Sequence, residues 1–319
     1  MRLALLPELR RFVPFDAFAW LLTDPETEVG TSPIADVPCL PDLPQLIRLK
    51  YATLVNRWTH QPQPVARLHH ATNGRLDRSL LWRELLADHG VSDVASMVFR
   101  DRFGCWSFLD LWRIGGQFTE AEVGVLDKHT EVITEALRRC AARTFAESST
   151  KRAVDRCGPI VLVLSADLEV RAQTPDTEQY LRALVPPDDD RRAIPAAAYN
   201  VGAQLLAVET GVDDHPPVAR VHLGRGDWLT LRAARIGDGV AVSIEMSSPA
   251  DRLSLFSRSA ALTTREAQLV HLLAAGADTR ALAQQMFLSE HTVQDHLKSI
   301  FAKTGTRSRR ELLARATGS

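Results

Sequence analysis

Several common functional motifs are absent from this sequence. There is no GxxxxGK loop, whose backbone would cradle phosphates, and this argues against an ATP-dependent protein. The four cysteines form no CxxC pair and no His/Cys spacing typical of zinc ligands, so we expect reduced thiols and neither a metal site nor a disulfide framework. No run approaches the roughly 20 apolar residues of a membrane span, and the apolar start lacks the features of a secretory signal. These absences predict a cytoplasmic protein without membrane contact.

Composition and charge place the chain among globular proteins and set its two ends apart. With 319 residues, 45% of them hydrophobic and 24% charged, it is long enough for two or three domains. From Ser254 onward nine basic residues stand against five acidic ones, a net of +4, whereas the rest holds 29 basic and 34 acidic residues, a net of −5. A basic end on an acidic body indicates nucleic-acid binding through that end.

Residues 1–150 have the pattern of a mixed α+β domain. The segment QLIRLKYATLVNRW predicts a helix after a proline-rich stretch. The segment ASMVFRDRFGCWSFLDLWR alternates aromatic and apolar residues around Gly104, which predicts two paired strands. A long amphipathic helix is predicted after Thr119, which has the capping-box spacing to Glu122.

Residues 156–248 are richer in strand signals. PIVLVLSADLEV predicts two strands, and DTEQYLRALV predicts a short helix that stops at the prolines after it. Three successive antiparallel strands are predicted next, with turns at Gly224 to Gly226 and at Gly237 to Gly239.

Residues 255–319 predict four short helices. Polar caps and glycines delimit them. The caps are Thr263 or Thr264, and Ser308; the glycines are Gly276 and Gly305; the two middle helices are Thr279–Phe287 and Glu290–Thr304, with a turn at Leu288 and Ser289. Two helices joined by so short a turn form the helix-turn-helix plan, in which the second helix of the pair enters the major groove of DNA.

These residues closely resemble the LuxR/FixJ-type DNA-binding domain, whose pattern has LTxRE, a glycine, a short helix, SxxTV, H, I, KxG and SRxEL. The matches are Leu262, Thr263, Arg265, Glu266, Gly276, Ser289, Thr292, Val293, His296, Ile300, Lys303, Gly305, Ser308, Arg309, Glu311 and Leu312. The resemblance covers about a fifth of the chain and implies a DNA-binding transcriptional regulator.

The resemblance implies that Val293, Leu297 and Ile300 are core residues of the third helix. The helical step of about 100° per residue independently places these three on one side and the polar residues on the other. The predicted base contacts are Gln294, Asp295, Lys298 and His291. In this set a lysine can donate to guanine, a glutamine can pair with adenine, and a carboxylate can accept from cytosine N4.

Other roles in this segment follow from chemistry and from the resemblance. Phosphate contacts need cations or hydroxyls near helix ends, and the predicted set is Arg280, Ser289, Thr292, Lys303 and Arg307. Glu266 is predicted to be structural, as a helix-start or ion-pair residue. The resemblance implies that the fourth helix pairs two copies around Leu312 and Leu313, so we expect a homodimer on a roughly palindromic site.

The first block resembles a GAF domain and the second a PAS-type domain. Both folds often cradle small molecules, which implies an unknown small-molecule effector. Trp20, Trp106 and Trp112 are candidate pocket residues, with ordinary core positions as the alternative.

Three further candidate sites each have an ordinary structural interpretation as the alternative. His69 and His70 are a candidate haem or metal pair, or else a pair in a loop or at a helix end. Asp213 to Pro217 is a candidate metal cluster or a polar loop. Cys105 is a candidate oxidant sensor or a buried thiol. We find no set of nucleophile, base and acid, so we predict neither catalytic residues nor a required cofactor.

The prediction is therefore an α+β protein with a GAF-like domain (1–150), a PAS-like domain (156–248) and an all-α four-helix helix-turn-helix domain (255–319). We expect a signal-responsive regulator that binds double-stranded DNA, with RNA polymerase as a further candidate partner. The alternatives are a sensory enzyme with a DNA-binding tail and a protein-interaction module that uses the helical tail. Steep salt dependence would distinguish DNA binding from the latter.

Overall fold

The computed structural model describes residues 1–146, 159–184, 195–224 and 227–318, which divide into two units. Unit 1 contains Met1–Glu135, Arg156–Val221 and Thr230–Glu245; unit 2 contains Ala136–Asp155, His222–Leu229 and Met246–Ser319. None of the described helices is both long and apolar enough to cross a lipid bilayer.

Strands and helices are mixed up to Met246, about three quarters of the way along the described chain, and only helices follow. The strands are β1 (Ala17–Thr23), β2 (Gly30–Asp36), β3 (Val65–Arg67), β4 (Asp93–Asp101), β5 (Gly104–Arg113), β6 (Ile160–Leu164), β7 (Val170–Gln173), β8 (Val218–Gly224), β9 (Asp227–Ile236) and β10 (Gly239–Met246). The α-helices are α1 (Arg2–Phe12), α2 (Leu43–Ala52), α3 (Leu68–Ala71), α4 (Leu80–Glu84), α5 (Glu120–Thr144), α6 (Thr177–Leu184), α7 (Ala196–Glu209), α8 (Pro249–Ser259), α9 (Thr264–Ala274), α10 (Thr279–Met286), α11 (Glu290–Thr304) and α12 (Arg309–Thr317). The predicted α+β class and all-helical C-terminal part are confirmed.

The first sheet is antiparallel, with the strand order β2-β1-β5-β4-β3. The predicted strand pair around Gly104 is confirmed, because Asp101 pairs with Gly104 where β4 turns into β5. Gly104 has φ +149°, and an added Cβ would overlap the backbone of Pro25. Only glycine fits this close approach of two chain segments.

The helix predicted after Thr119 is α5. The Thr119 hydroxyl accepts from the Glu122 backbone N–H at 3.2 Å, and the Glu122 carboxylate accepts from the Thr119 N–H at 2.8 Å. The predicted capping box is therefore confirmed.

The second sheet has the strand order β7-β6-β10-β9-β8, and it includes the three successive strands predicted from the sequence. The turn predicted at Gly237 to Gly239 joins β9 to β10. Part of the other predicted turn, residues 225 and 226, lies outside the described residues, as does the boundary predicted between the first two blocks.

Helix α7 was not predicted, because its sequence, AAAYNVGAQLLAVE, carries apolar residues all round rather than on one stripe. Residues from Ala196 to Gln204 are buried without interruption. The helix packs closely on the second sheet, since an added Cβ at Gly202 would lie 3.2 Å from Leu164 Cδ1 and 3.7 Å from Val240 Cγ1. It also packs against α2 and β2. A helix covered on all sides lacks the periodicity that sequence reasoning uses.

Strand β2 and helix α8 are among the other elements that were missed, and one predicted helix is shorter than expected. Strand β2 contains Pro33, a residue type that argues against a central strand, but β2 lies at the edge of its sheet, where a missing N–H need not cost a ladder bond. Helix α8 begins at a capping box in which Ser248 and Asp251 bond reciprocally. Helix α2 ends at Ala52 because Thr53 is extended.

Two buried ion pairs in unit 1 join the parts that the sequence analysis treated as separate blocks. Arg220 donates to both carboxylate oxygens of Asp24, at 2.6 and 2.7 Å, and Asp24 is fully buried. Arg57 donates to Asp213, which is also buried. Buried, charge-assisted hydrogen bonds of this kind fix the relative position of two segments. The GAF-like and PAS-like assignments and their boundaries remain predictions.

Removing the charge of Asp24 tests the importance of the buried pair. We expect Asp24→Asn to lower the free energy of unfolding by about 3 kcal/mol, because it leaves a buried guanidinium without its main counter-charge. Urea unfolding of the full chain measures this. The control is Glu120→Gln, which removes a carboxylate that pairs with Arg67 but is 79% exposed, and we expect a loss below about 1 kcal/mol. Equal losses in the two variants would contradict the prediction.

Candidate nucleic-acid interface

Helices α8 to α12 share one apolar core in unit 2. Its fully buried members on the C-terminal helices are Leu269, Val270, Leu282, Val293, Ile300, Leu312 and Ala316. The prediction that Val293, Leu297 and Ile300 are core residues is confirmed, since each is at most 2% exposed. This buried stripe fixes which side of α11 faces outward.

The same core includes two aromatic residues from distant parts of the chain. The Phe145 ring stacks on Trp228, with 5.2 Å between ring centroids. It also meets Phe256 of α8 edge to face at 5.5 Å. The core beneath the C-terminal helices is therefore completed by residues far from them in sequence.

The turn between α10 and α11 is short and well defined. Helix α10 ends at Met286, and Phe287 adopts a left-handed backbone with φ +55°. The Ser289 hydroxyl then accepts from the Thr292 backbone N–H at 3.1 Å and caps α11. The predicted helix-turn-helix bounds agree with the structure to within one residue.

The four predicted base-contact residues are all exposed on the outward side of α11, and we call them the reading face: His291, Gln294, Asp295 and Lys298. Lys298 Nζ donates to Asp295 Oδ1 at 3.0 Å, and His291 Nε2 lies 3.6 Å from Asp295 Oδ2. The hydrogen bond from Lys298 lowers the pKa of Asp295, so the carboxylate is charged at neutral pH. A donor and an acceptor thus stand side by side on this face.

The predicted phosphate contacts fall into two groups. Ser289 and Thr292 sit at the N-terminal end of α11, where the helix dipole favours anions. Arg280 and Arg307 are exposed, and within the part of the chain that the structure describes neither guanidinium forms an ion pair.

Lys303 differs from the other predicted phosphate contacts. Its Nζ lies 2.5 Å from Glu266 Oε2, and Ser299 donates to Glu266 Oε1 at 2.7 Å. The Thr263 backbone N–H donates to the same carboxylate at 2.7 Å. Burial alone would raise the pKa of Glu266, but the bonds from Lys303 and Ser299 lower it to about 2. The predicted structural role of Glu266, as helix-start and ion-pair residue, is confirmed, and the charge of Lys303 is largely neutralised.

The two residues predicted for dimerisation, Leu312 and Leu313, differ in how deeply they are buried. Leu312 is completely buried in the core of unit 2, so it offers no surface to a second copy. It faces inward because α12 packs on α8 and α9 through the stripe of Leu312 and Ala316. Leu313 is half-buried against the same core. A contact through α12 would have to use its exposed side.

The three candidate pocket tryptophans do not meet in one place. All are buried, but Trp20 pairs with Leu109, and the alternation along β5 puts Trp112 on the opposite face of the sheet. The Trp20 indole donates to Ser107 at 2.7 Å, and the Trp106 indole donates to Asp101 at 3.0 Å. The Trp112 indole N–H has no acceptor among the described residues.

The thiol of Cys105 is completely buried, and burial raises its pKa to about 12. It therefore stays protonated, which argues against the oxidant sensor. Cys157 lies outside the described residues.

The surroundings of the histidine and aspartate clusters also favour a structural role over a metal site. His69 and His70 lie on the short helix α3. Asp213, Asp214 and His215 have the spacing of metal ligands. However, the Asp213 carboxylate already accepts hydrogen bonds from Thr59 and His215 as well as from Arg57. A polar loop explains this group without a metal.

The comparisons with known proteins agree with this geometry over one part of the chain. The family described as GerE, bacterial regulatory proteins of the luxR family, matches residues 260–316. This segment is a LuxR-type helix-turn-helix domain. The monoamine regulon transcriptional regulator of Klebsiella aerogenes is 41% identical over 56 residues, which are 18% of this chain and 25% of that protein. The chain thus spans about a quarter of the length of this curated relative.

Two solved structures are similar to the chain at low TM-scores. That of SdiA in complex with octanoyl-rac-glycerol is 12% identical, with a TM-score of 0.30, and covers 98% of this chain and 86% of its own. That of the phage VqmA-DPO complex is 13% identical, with a TM-score of 0.18, and covers 58% of this chain and 89% of its own.

Sequence reasoning missed two features of the LuxR-type domain and its support. One is helix α8, which packs on α12. Its start could have been found from Ser248-Pro249 and from Asp251, which has the capping-box spacing to Ser248. The left-handed conformation of Phe287 left no signal, because aromatic residues rarely adopt it.

The Glu266 cluster predicts a pH dependence. The pKa of Glu266 is lower in the folded protein, so its contribution is complete above about pH 4.5 and is lost as the pH falls towards 2. We expect Glu266→Gln to lose about 2–3 kcal/mol of stability at pH 7. The difference in Tm between the variant and the wild type should shrink between pH 4.5 and pH 2. A difference that stays constant over this range would contradict the assignment.

Proposed function

We propose that this chain is a transcriptional regulator that binds double-stranded DNA by inserting α11 of its LuxR-type domain into the major groove. The observation that carries the proposal is the exposed polar reading face directly after a tight turn, backed by the buried stripe of Val293, Leu297 and Ile300. A helix held from behind by its apolar side presents its polar side in a fixed orientation, as recognition requires.

The chemistry of the reading face fits individual base edges. Lys298 can donate to guanine O6 or N7, and Asp295 can accept from cytosine N4. Guanine O6 and cytosine N4 lie beside each other on a single G·C pair. The side chains of Lys298 and Asp295 also lie side by side. Gln294 suits adenine, which accepts at N7 and donates from N6. We therefore propose that Asp295 and Lys298 act as a pair on one G·C position.

Arg280 and Arg307, together with the N-terminal end of α11, are proposed to position the domain through phosphates. We further propose a homodimer on a roughly palindromic site, a cytoplasmic location, and RNA polymerase as a candidate partner. The proposal includes no enzymatic activity.

The carboxylate of Asp295 provides a test of base reading. We expect Asp295→Ala to raise affinity for random DNA, because a negative charge near the phosphates is removed, and to lower the specificity ratio about tenfold. The measurement is binding to a duplex selected by the wild type and to random duplexes at fixed salt. Asp127→Ala, an exposed change of equal charge on α5, is the control and should leave the ratio unchanged.

Unchanged specificity in Asp295→Ala would contradict the base-reading role. The same titrations at rising salt test the function itself, since phosphate contacts make affinity fall steeply with salt. A protein-interaction module would bind no duplex in the selection.

We also propose that unit 1 senses a small molecule, as the resemblance to GAF and PAS domains implies. One observation favours a site near Trp112. Its indole N–H is buried without an acceptor among the described residues, in an apolar cluster with Leu81, Leu86 and Val94. A buried donor without a partner costs stability, and a ligand carbonyl or hydroxyl would satisfy it.

Two matched tryptophan variants test this idea in the ligand-free protein. Trp20→Phe and Trp112→Phe remove the same volume from buried positions, but only Trp20 donates to a protein acceptor. We expect Trp20→Phe to lose about 1–2 kcal/mol more than Trp112→Phe in urea unfolding. Equal losses would indicate that the Trp112 N–H is already satisfied and would remove this support for an effector site.

A further inference from the structure

Phe287 combines strain and exposure in the turn before α11. Its backbone is left-handed, with φ +55°, and its side chain is 94% exposed. A bulky residue in this conformation is rare, because Cβ approaches the following carbonyl group. Glycine or asparagine is the usual residue at such a helix end.

Two other residues with a left-handed backbone, Leu168 and Ala261, differ from Phe287 in the burial or the size of their side chains. Leu168 has φ +66°, but its side chain is completely buried, so packing compensates for the strain. Ala261 has φ +53° and carries only a methyl group. The Phe287 ring lies outside the apolar core of unit 2 and gains no such compensation. Among the described residues, the folded protein therefore offers no packing reason for phenylalanine at this position.

The position of Phe287 points to its partner. It lies two residues before Ser289, which caps α11, and three residues span at most about 11 Å, so the ring stays close to the end of α11 that enters the groove. The exposed residues Gln284, Gln285 and Glu290, which lie within three positions of it in sequence, are polar, and its apolar neighbours Met286 and Leu288 are buried and half-buried. A protein interface would be built on a contiguous apolar patch, whereas a single ring among polar groups fits DNA, whose apolar groups are isolated.

We propose that Phe287 packs on an apolar C–H surface of double-stranded DNA at the groove edge. The proposal rests on DNA binding through α11. Duplex DNA offers this chemistry in two places, the 5-methyl group of thymine and the deoxyribose ring. Phe287 thereby adds an apolar contact to the polar reading face.

Stability and binding are expected to change in opposite directions in Phe287→Asn. Asparagine tolerates the left-handed backbone, so the Tm of the full chain should rise by about 2 °C. Loss of the ring should raise the Kd for the selected duplex about tenfold. Phe287→Gly should bind as weakly as Phe287→Asn, because it also lacks the ring and adds no polar group.

Ala261→Gly is the matched control, because it relieves the same kind of backbone strain in unit 2 without removing a ring. It should leave the Kd unchanged. A duplex with uracil in place of thymine separates the two DNA surfaces. If the wild type binds it about as weakly as Phe287→Asn binds the thymine duplex, the methyl group is the contact. If uracil has no effect but loss of the ring still weakens binding, the contact is deoxyribose.

Two outcomes would overturn the proposal while leaving DNA binding intact. One is an unchanged Kd in both Phe287 variants, and the other is a fall in Tm in both, which would make the ring a structural element. A wild type that selects no duplex at all would overturn the proposed function itself and this proposal with it.

Discussion

The orientation of α11 depends on the buried carboxylate of Glu266. One of its oxygens accepts from Ser299, and the other accepts from Lys303 and from the backbone at the start of α9. A carboxylate that joins one helix start to the C-terminal half of another restrains both. At its opposite end α11 is fixed by the Ser289 cap, so the reading face lies between two polar anchors and above an apolar stripe.

The basic residues of the LuxR-type domain include two groups: those that pair with carboxylates of the domain, and those that are exposed. Lys303 and Arg315 are bound to carboxylates of the same domain, while Arg280 and Arg307 project from exposed positions. Lys298 is intermediate, since its partner Asp295 lies beside it on the exposed surface, where solvent screens the pair. A count of basic residues alone would therefore overstate the charge that is free to meet a polyanion.

The C-terminal helices could be predicted from sequence because their signals are local: caps, glycines and a stripe at helical spacing. Tertiary contacts were not predictable in the same way. Nothing near Lys303 in sequence indicates Glu266, and the inward direction of Leu312 depends on α8, which was not predicted. The same holds for the candidate pocket tryptophans. Alternation along a strand shows that Trp20 and Trp112 lie on opposite faces of the sheet only once the pairing of β1 with β5 is known.

The aromatic contacts of Phe256 bear on where a separable DNA-binding fragment would begin. The family match starts at residue 260, yet Phe256 packs against Phe145, which in turn stacks on Trp228. A fragment cut at Pro249 would keep the caps, the turn and the reading face, but it would expose the ring of Phe256 to water. A fragment that begins at Pro249 would thus gain a new exposed apolar surface, and we expect its solubility to fall.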